Sequence, residues 1–388
     1  MAEKAVYVLS GDPITNGHID IVKRARQMFG SLRVALAVHP DKKYTYTLKE
    51  RETLARKALQ GLDVTVDSFP GLTVDYAKLN GIPTIIRSAR SSSDFDFEKL
   101  LNDIGMSQSS EVETILFFAR QHLAHVSSSA VKELQRLHGL IHEYVPFVVK
   151  QSLEKTISHQ VLIGLTGEIG AGKSFVAQSI LIGKFDSSKA FLVNEIDMDR
   201  LGHEILETNP APMFINVRKK LIDLFGQSIA KSPTSNLYEI DTKILGSLIF
   251  DETIIGHSQA LGMFNEITRD AMLTLFREKL TGLKGIIFVS SALFAEADIG
   301  HLTNYNVILV HADKEIRKER LRKRGYTERE IDSRMGAQLD YEHKKNILEE
   351  KIIENNYGNL ITFDNSNSTE KDISQFFSYQ YLTKEFES

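Results

Sequence analysis

Apolar positions along this chain come in short runs separated by longer stretches of mixed character, and the alternation occurs twice. In the first part, residues 5–9, 34–38, 64–69, 84–87 and 113–118 have strand length and strand composition. Between and after them, residues 19–29, 48–59, 74–80 and 129–136 repeat apolar positions at helical spacing. Strand–helix alternation predicts a parallel, doubly wound sheet. Residues 145–159 form a short amphipathic stretch that turns polar at Ser158 and His159 and serves as a join. A second alternation follows, with strands expected at 161–165, 190–195, 285–290 and 306–310 and a helix beginning over 174–181. Residues 314–325 are strongly basic, 328–354 make one long charged helical region, and the polar segment around Asn365 is a plain loop. The pattern predicts two α/β domains, 1–157 and 158–388, both with parallel sheets.

Composition narrows the function classes. Apolar and charged fractions of 42% and 25% are those of an ordinary globular protein. A net charge of −4 offers no global basic field for nucleic acid, so no nucleic-acid partner is expected. The chain has no cysteine, which excludes disulfides, thiolate catalysis and cysteine-based zinc sites. No apolar run reaches the ~20 residues of a membrane helix, and the first residues carry no secretory core. A cytoplasmic protein with no membrane partner is expected.

The densest chemical signal is the run Gly167-Glu168-Ile169-Gly170-Ala171-Gly172-Lys173-Ser174, directly after the apolar 161–165. Glycines let the backbone turn its N–H groups toward phosphate oxygens, and the following helix adds its positive end. Lys173 is spaced to reach β- and γ-phosphates, and the Ser174 hydroxyl to ligate Mg²⁺. A chance match has a probability on the order of one in a hundred before the strand-then-helix context is counted. Downstream, Asp197 and Asp199 follow an apolar run, so Asp197 would lie at the sheet's carboxyl edge as general base, with Asp199 assisting substrate or metal. Alone, an Asp-x-Asp pair is a solvated turn; the upstream loop reverses that weighting. Arg320 and Arg324 share a helical face and suit a phosphate clamp, while Arg317 and Arg322 fit an exposed basic face.

In the first part, Asp12-Pro13-Ile14-Thr15-Asn16-Gly17-His18 follows the first strand and opens a helix. His18 there can donate to a phosphoryl oxygen. With the blocks 40–43, 47–51, 71–77, 87–98 and 126–132 in order, residues 1 to about 157 resemble the bacterial pantetheine-phosphate adenylyltransferases, nucleotidylyltransferases with a Rossmann-like fold. The resemblance implies transfer of AMP from ATP to 4′-phosphopantetheine. His18 would then act on the α-phosphate, Lys42 and Arg87 on the acceptor phosphate, and Arg90 on ATP phosphates. Ser10, Gly17, Ser88, Ala89 and Glu98 would border the ATP, Ser127, Ser128 and Ser129 the triphosphate, and Leu72 and Thr73 the pantetheine channel. Departures from the family pattern include Leu9-Ser10-Gly11, Ser88-Ala89, Ile104-Gly105 and Ala119-Arg120.

From about residue 160 the chain resembles the dephospho-coenzyme A kinases, which are P-loop kinases. The resemblance rests on the glycine loop, 196–199 with His203, 292–296, 320–324, 334–339 and 353–355. It implies phosphorylation of the ribose 3′-hydroxyl of dephospho-CoA by ATP with Mg²⁺. Lys173 and Asp197 would carry the chemistry, Gly167, Gly170, Ala171, Gly172, Ser174, Phe175, Arg320 and Arg324 would hold the nucleotide, and Asp199 the acceptor. Phe175 stands where the family usually has Thr. The product of the first reaction is the substrate of the second, so the two resemblances together imply a bifunctional coenzyme A synthase. Two alternatives stay open on sequence: a kinase with a scaffold-only first domain, and a non-catalytic nucleotide or coenzyme A sensor. The adenylyltransferase resemblance also allows a homo-oligomer.

Overall fold

The computed structural model describes residues 4–108, 111–182, 193–232, 236–249, 257–336 and 338–387. The chain divides into two compact units, Met1–Ile157 and Ser158–Ser388. The first is built on strands β1 (Lys4–Leu9), β2 (Ser31–Ala37), β3 (Thr65–Phe69), β4 (Thr84–Ala89) and β5 (Glu113–Phe118), ordered β3-β2-β1-β4-β5. The second uses β6 (Gln160–Gly167), β7 (Val193–Asp197), β8 (Gly285–Ser290), β9 (Asn306–His311) and β10 (Asn359–Asp364), ordered β10-β9-β6-β8-β7. Every pairing is parallel, as the alternation of strands and helices predicts.

Burial explains why these runs are strands. In β1, Tyr7 and Leu9 enter one core with Ile21, Val22 and Ile86. Val6 and Val8 enter the opposite core with Phe69, Ala77 and Ile85. A central strand buried on both faces is apolar throughout, and each such side chain contributes about 1.5–3 kcal/mol of transfer free energy. β6 is likewise buried from end to end, with Ile163 and Leu165 packed on Val176 and Ile180 of the next helix.

Several elements differ from expectation. The 328–354 region is two helices, Glu328–Gly336 and Tyr341–Asn355, because Asp340 caps the second by accepting from the His343 amide at 2.9 Å. The segment before Asn365 is β10, an edge strand whose partial exposure masks its apolar signal. A 17-residue helix, Ser92–Gln108, has no fully buried residue and carries no sharp apolar stripe. The expected strand at 190–195 is seen from Val193 to Asp197; residues 190–192 lie outside the described residues.

Both sheets present their carboxyl ends to the candidate chemistry. In the first, strand order reverses between β1 and β4, and the crevice beyond those two ends is the expected ligand position. The 10–18 segment leaves β1 there, and Arg87 to Arg90 close β4. In the second, the glycine loop leaves β6, Asp197 ends β7 and Asn365 follows β10.

Candidate functional site

In the first unit, Thr15 caps the helix Asn16–Met28 and His18 occupies its first turn. The Thr15 N–H donates to His18 Nδ1 at 3.0 Å, and the Thr15 hydroxyl lies 2.9 Å from the same nitrogen. Nδ1 is therefore an acceptor, and the neutral ring carries its proton on Nε2. Burial, with the positive charges of Arg90 and Lys42 adding to it, brings His18 down to about 4. Lys42 Nζ donates to Ser10 Oγ at 3.1 Å. Arg90 pairs with Asp94 at 3.0 Å and reaches the carbonyl of Val126, the residue before Ser127, at 3.5 Å.

Ser127 caps the helix Ser128–Arg136 by accepting from the Ala130 amide, and Ser128 Oγ donates to the Pro13 carbonyl at 2.8 Å. Ser129 is exposed at the same helix start. Arg87 Nη2 donates to Thr73 Oγ1 at 3.2 Å and faces Glu98 at 3.5 Å. Burial raises Glu98 against the charge of Arg87, and burial likewise lowers Arg87. Leu72, Thr73, Arg87, Glu98, Ile104 and Gly105 line a cavity of about 110 Å³. The Ser88 hydroxyl turns to the phenol of Tyr7 at 3.0 Å, whose pKa burial pushes up to about 12, and Ala89 is buried at the end of β4. Gly17 sits in the first turn beside His18.

In the second unit, the loop from Gly167 to Ser174 is shaped by close approach. A Cβ on Gly167, at φ +152°, would stand 2.1 Å from the Val310 carbonyl oxygen; one on Gly172, at φ +94°, would stand 2.4 Å from Asn365 Nδ2. Gly170 and Ala171 are buried, while Ser174 and Phe175 are exposed at the start of the helix Lys173–Ile182. Lys173 Nζ donates to the Gly167 carbonyl at 3.1 Å. Burial brings Lys173 down to about 8; Asp199 and Asp197 oppose the shift, and Lys344 and Arg324 add to it. Asp197 caps the helix Met198–His203, its Oδ1 accepting from the amides of Asp199 and Arg200 at 3.0 and 3.2 Å.

Comparison with known proteins follows the same division. The cytidylyltransferase-like family model matches residues 10–134, and the dephospho-CoA kinase family model matches residues 161–360. Phosphopantetheine adenylyltransferase of Carboxydothermus hydrogenoformans is 41% identical over 156 residues, 39% of this chain and 96% of its own length. That of Alkaliphilus metalliredigens is 38% identical over 151 residues, again 39% of this chain and 96% of its own. The chain belongs to both families, phosphopantetheine adenylyltransferase in its first half and dephospho-CoA kinase in its second. A solved dephospho-CoA kinase from Campylobacter jejuni is 21% identical, with 58% of this chain and 98% of that one covered at a TM-score of 0.34, a likeness that adds nothing to the fold already described. The chain is thus a transferase in both halves, with domains for both final steps of coenzyme A synthesis and ATP as the substrate that both families imply.

Within the kinase half, the exposed-face expectation for Arg317 needs correction, and Arg320 and Asp199 carry bonds that sequence did not reveal. Arg320 donates to the carbonyls of Gly170, Ala171, Asn365 and Ser366, the shortest at 2.7 Å, and so supports the loop. Arg317 is not on an exposed face; it is buried and pairs with Glu168 of the loop at 2.9 Å. Arg322 is exposed and pairs with Glu328. Asp199 is occupied on both oxygens, by the Ser291 hydroxyl and the Ala292 amide, each at 3.1 Å.

Sequence reasoning passed over Asn365, whose buried Nδ2 donates to the Ala171 carbonyl at 2.8 Å while its Oδ1 has no hydrogen-bond partner among the described residues. It also passed over Gln338, which accepts from the Ile169 amide at 3.0 Å, and Lys344, which is fully buried and bonds the Ala292 carbonyl and Glu296. The apolar Leu360, Ile361 and Phe363 just before Asn365 were the available signal: a fifth strand delivers its next residue to the sheet's carboxyl edge.

Proposed function

We propose that this chain makes coenzyme A from 4′-phosphopantetheine in two ATP-driven transfers, one at each site. In the adenylyltransferase site, Lys42 and Arg87 hold the acceptor's phosphate, and one of its oxygens attacks the α-phosphorus of ATP. The bond from that phosphorus to the β-bridging oxygen breaks and pyrophosphate leaves. His18 donates its Nε2–H to a non-bridging oxygen of the α-phosphoryl group as charge builds there. Arg90, Ser10 and the helix start at Ser127 to Ser129 hold the departing phosphates. Glu98 orients the ATP, and Leu72 and Thr73 border the pantetheine arm. The acceptor is already a nucleophile, so alignment and charge neutralisation suffice.

In the kinase site, the ribose 3′-hydroxyl of dephospho-CoA attacks the γ-phosphorus of ATP, the bond from that phosphorus to the β,γ-bridging oxygen breaks, and ADP leaves. Asp197 accepts the hydroxyl proton on Oδ2, the oxygen its helix cap leaves open, while Lys173 neutralises the transferring group. Asp199 keeps the Asp197 turn in place rather than touching substrate, and Arg324 reaches the phosphates while Arg320 holds the loop. Ser174, whose hydroxyl is exposed at the start of the helix after the loop, would hold Mg²⁺, which would supply charge neutralisation for the nucleotide phosphates.

The observation that carries this reading is that each sheet's carboxyl edge gathers the groups its own transfer needs. His18 with its Nε2–H, Lys42 bonded to Ser10, and the Ser128 helix start bonded to Pro13 meet in one half; the glycine loop with Lys173 and the capping Asp197 meet in the other. Purified protein supplied with ATP, Mg²⁺ and 4′-phosphopantetheine should release pyrophosphate, then ADP and coenzyme A. With each acceptor supplied separately, His18→Ala should abolish only pyrophosphate release from 4′-phosphopantetheine, and Asp197→Asn only ADP formation from added dephospho-CoA. Loss of both separately assayed activities from either change would refute separate sites. The protein works in the cytoplasm without a nucleic-acid partner. It forms a homo-oligomer that covers the exposed Phe95, Phe97, Leu100 and Ile104 of the Ser92–Gln108 helix.

A further inference from the structure

The first unit contains a buried ion pair that the proposed mechanism does not use. Asp12 and Lys132 meet at 2.6 Å although 120 residues separate them, and both are largely withdrawn from solvent. The carboxylate of Asp12 is fully engaged. Its Oδ1 accepts from the amides of Thr45 and Tyr46 at 3.2 and 3.0 Å, and its Oδ2 from the Thr45 amide at 3.0 Å and from Lys132. Lys132 donates a second bond to Thr45 Oγ1 at 3.1 Å. Burial pushes Asp12 up, but Lys132 and the two amides outweigh it and leave the group below its ordinary value.

Each contact lands on a different loop at the carboxyl edge of the sheet. Asp12 stands two residues beyond Ser10 and six before His18. Thr45 and Tyr46 close the β2 loop that carries Lys42. Lys132 lies on the helix whose first residues are the proposed triphosphate site, and Ser128 of that helix bonds back to Pro13. One carboxylate and one ammonium therefore join the three loops that supply Ser10 and His18, Lys42, and Ser127 to Ser129. The pair has no net charge, so it fixes these loops without placing an anion where a triphosphate must enter. A hydrophobic contact could hold the loops together but could not set the direction of two amides and an ammonium at once.

We infer that Asp12 and Lys132 are positioning residues for adenylyl transfer, setting the spacing between the acceptor cation Lys42, the α-phosphate donor His18 and the triphosphate helix start. The inference rests on the roles proposed above for those groups. A misplacement of about 1 Å in such a site costs on the order of 100-fold in rate.

The test uses full-length protein, with the kinase reaction of the same sample as internal control. Lys132→Gln is expected to lower kcat for pyrophosphate release about 100-fold, with KM for ATP and acceptor shifted less than about 3-fold and ADP formation from dephospho-CoA unchanged. Lys132→Arg should recover at least about 10-fold of that loss, because it restores the charge and the donor to Asp12. A folded Lys132→Gln protein with kcat within about 3-fold of wild type overturns the inference, as does a loss that Arg fails to recover. If Lys132→Gln does not fold, Thr45→Val decides, since it removes only one donated bond: a kcat reduced about 5-fold at constant KM supports the role, and an unchanged kcat overturns it. Failure of the site assignment itself looks different, because His18→Ala would then leave pyrophosphate release intact.

Discussion

His18 should remain neutral far below the pH at which a histidine ordinarily charges, and this can be tested directly. The perturbation is acidification from pH 7.5 to 4. Burial and the charges of Arg90 and Lys42 place the folded-state pKa at about 4, against an ordinary 6.5. That gap corresponds to at most about 3 kcal/mol, less whatever solvent screens from the partly exposed ring. Because the folded-state value is the lower one, the unfolded chain binds the proton first. Above pH 6.5 the group costs nothing. Between 6.5 and 4 it destabilises the fold, by up to about 1.4 kcal/mol per pH unit, and below 4 the penalty levels off. The tautomer gives an independent prediction: the Thr15 N–H donates to Nδ1, so the proton sits on Nε2, and protonating Nδ1 would set two donors face to face. The assay is a pH titration by proton–nitrogen NMR of protein labelled only in its histidines. There are 12 of them, and the His18→Gln protein assigns the signal. A His18 resonance that titrates near 6.5, or ring nitrogen shifts of an Nδ1–H tautomer, would falsify the argument. Adenylyl transfer should also show no inflection from this residue between pH 6 and 7.

Three further outcomes follow from the kinase half. Gly172→Ala drives a methyl group against Asn365 Nδ2 and strains a left-handed backbone, so it should reduce nucleotide affinity at least about 10-fold in calorimetric titration and leave pyrophosphate release untouched. Arg317→Met leaves the buried carboxylate of Glu168 with His311 at 3.2 Å as its remaining side-chain partner and should destabilise this half by about 3 kcal/mol in urea unfolding; adding Glu168→Gln should recover most of the loss, and no recovery would show that the pair is not the cause. Because Lys173 loses its charge near pH 8, the rate of ADP formation in the unliganded-enzyme regime should fall as pH rises through that value, whereas a flat profile from pH 7 to 9.5 would mean Lys173 stays charged.

What could be seen from sequence was whatever is local. The loop from Gly167 to Ser174 and the Asp12 to His18 segment are each contiguous, and their residue types are dictated by backbone geometry within a few positions. The strand–helix alternation likewise gave both parallel sheets, since β1 and β6 are apolar throughout. The contacts that finish each site are long-range and leave little local trace. Arg320 and Arg324 are equivalent along a helix, and only the neighbouring carbonyls of Gly170, Ala171 and Asn365 decide that Arg320 is a support. Arg317 looks like a solvated residue until Glu168 is placed opposite it. Asn365 follows an edge strand with polar interruptions, so neither its burial nor its bond to the loop is visible in composition.

The hold of Asn365 and Arg320 on the phosphate loop has a consequence during synthesis. A loop written at residues 167–174 is closed by a residue that leaves the ribosome almost two hundred positions later. The strand that delivers it, β10, can dock only once β9 is in place. The adenylyltransferase site meets its own farthest partner, Lys132, long before that. A nascent chain halted near residue 340 would thus carry a finished first catalyst while its second still lacked the wall behind its nucleotide, and the order in which the two enzymes mature would match the order in which their substrates arise.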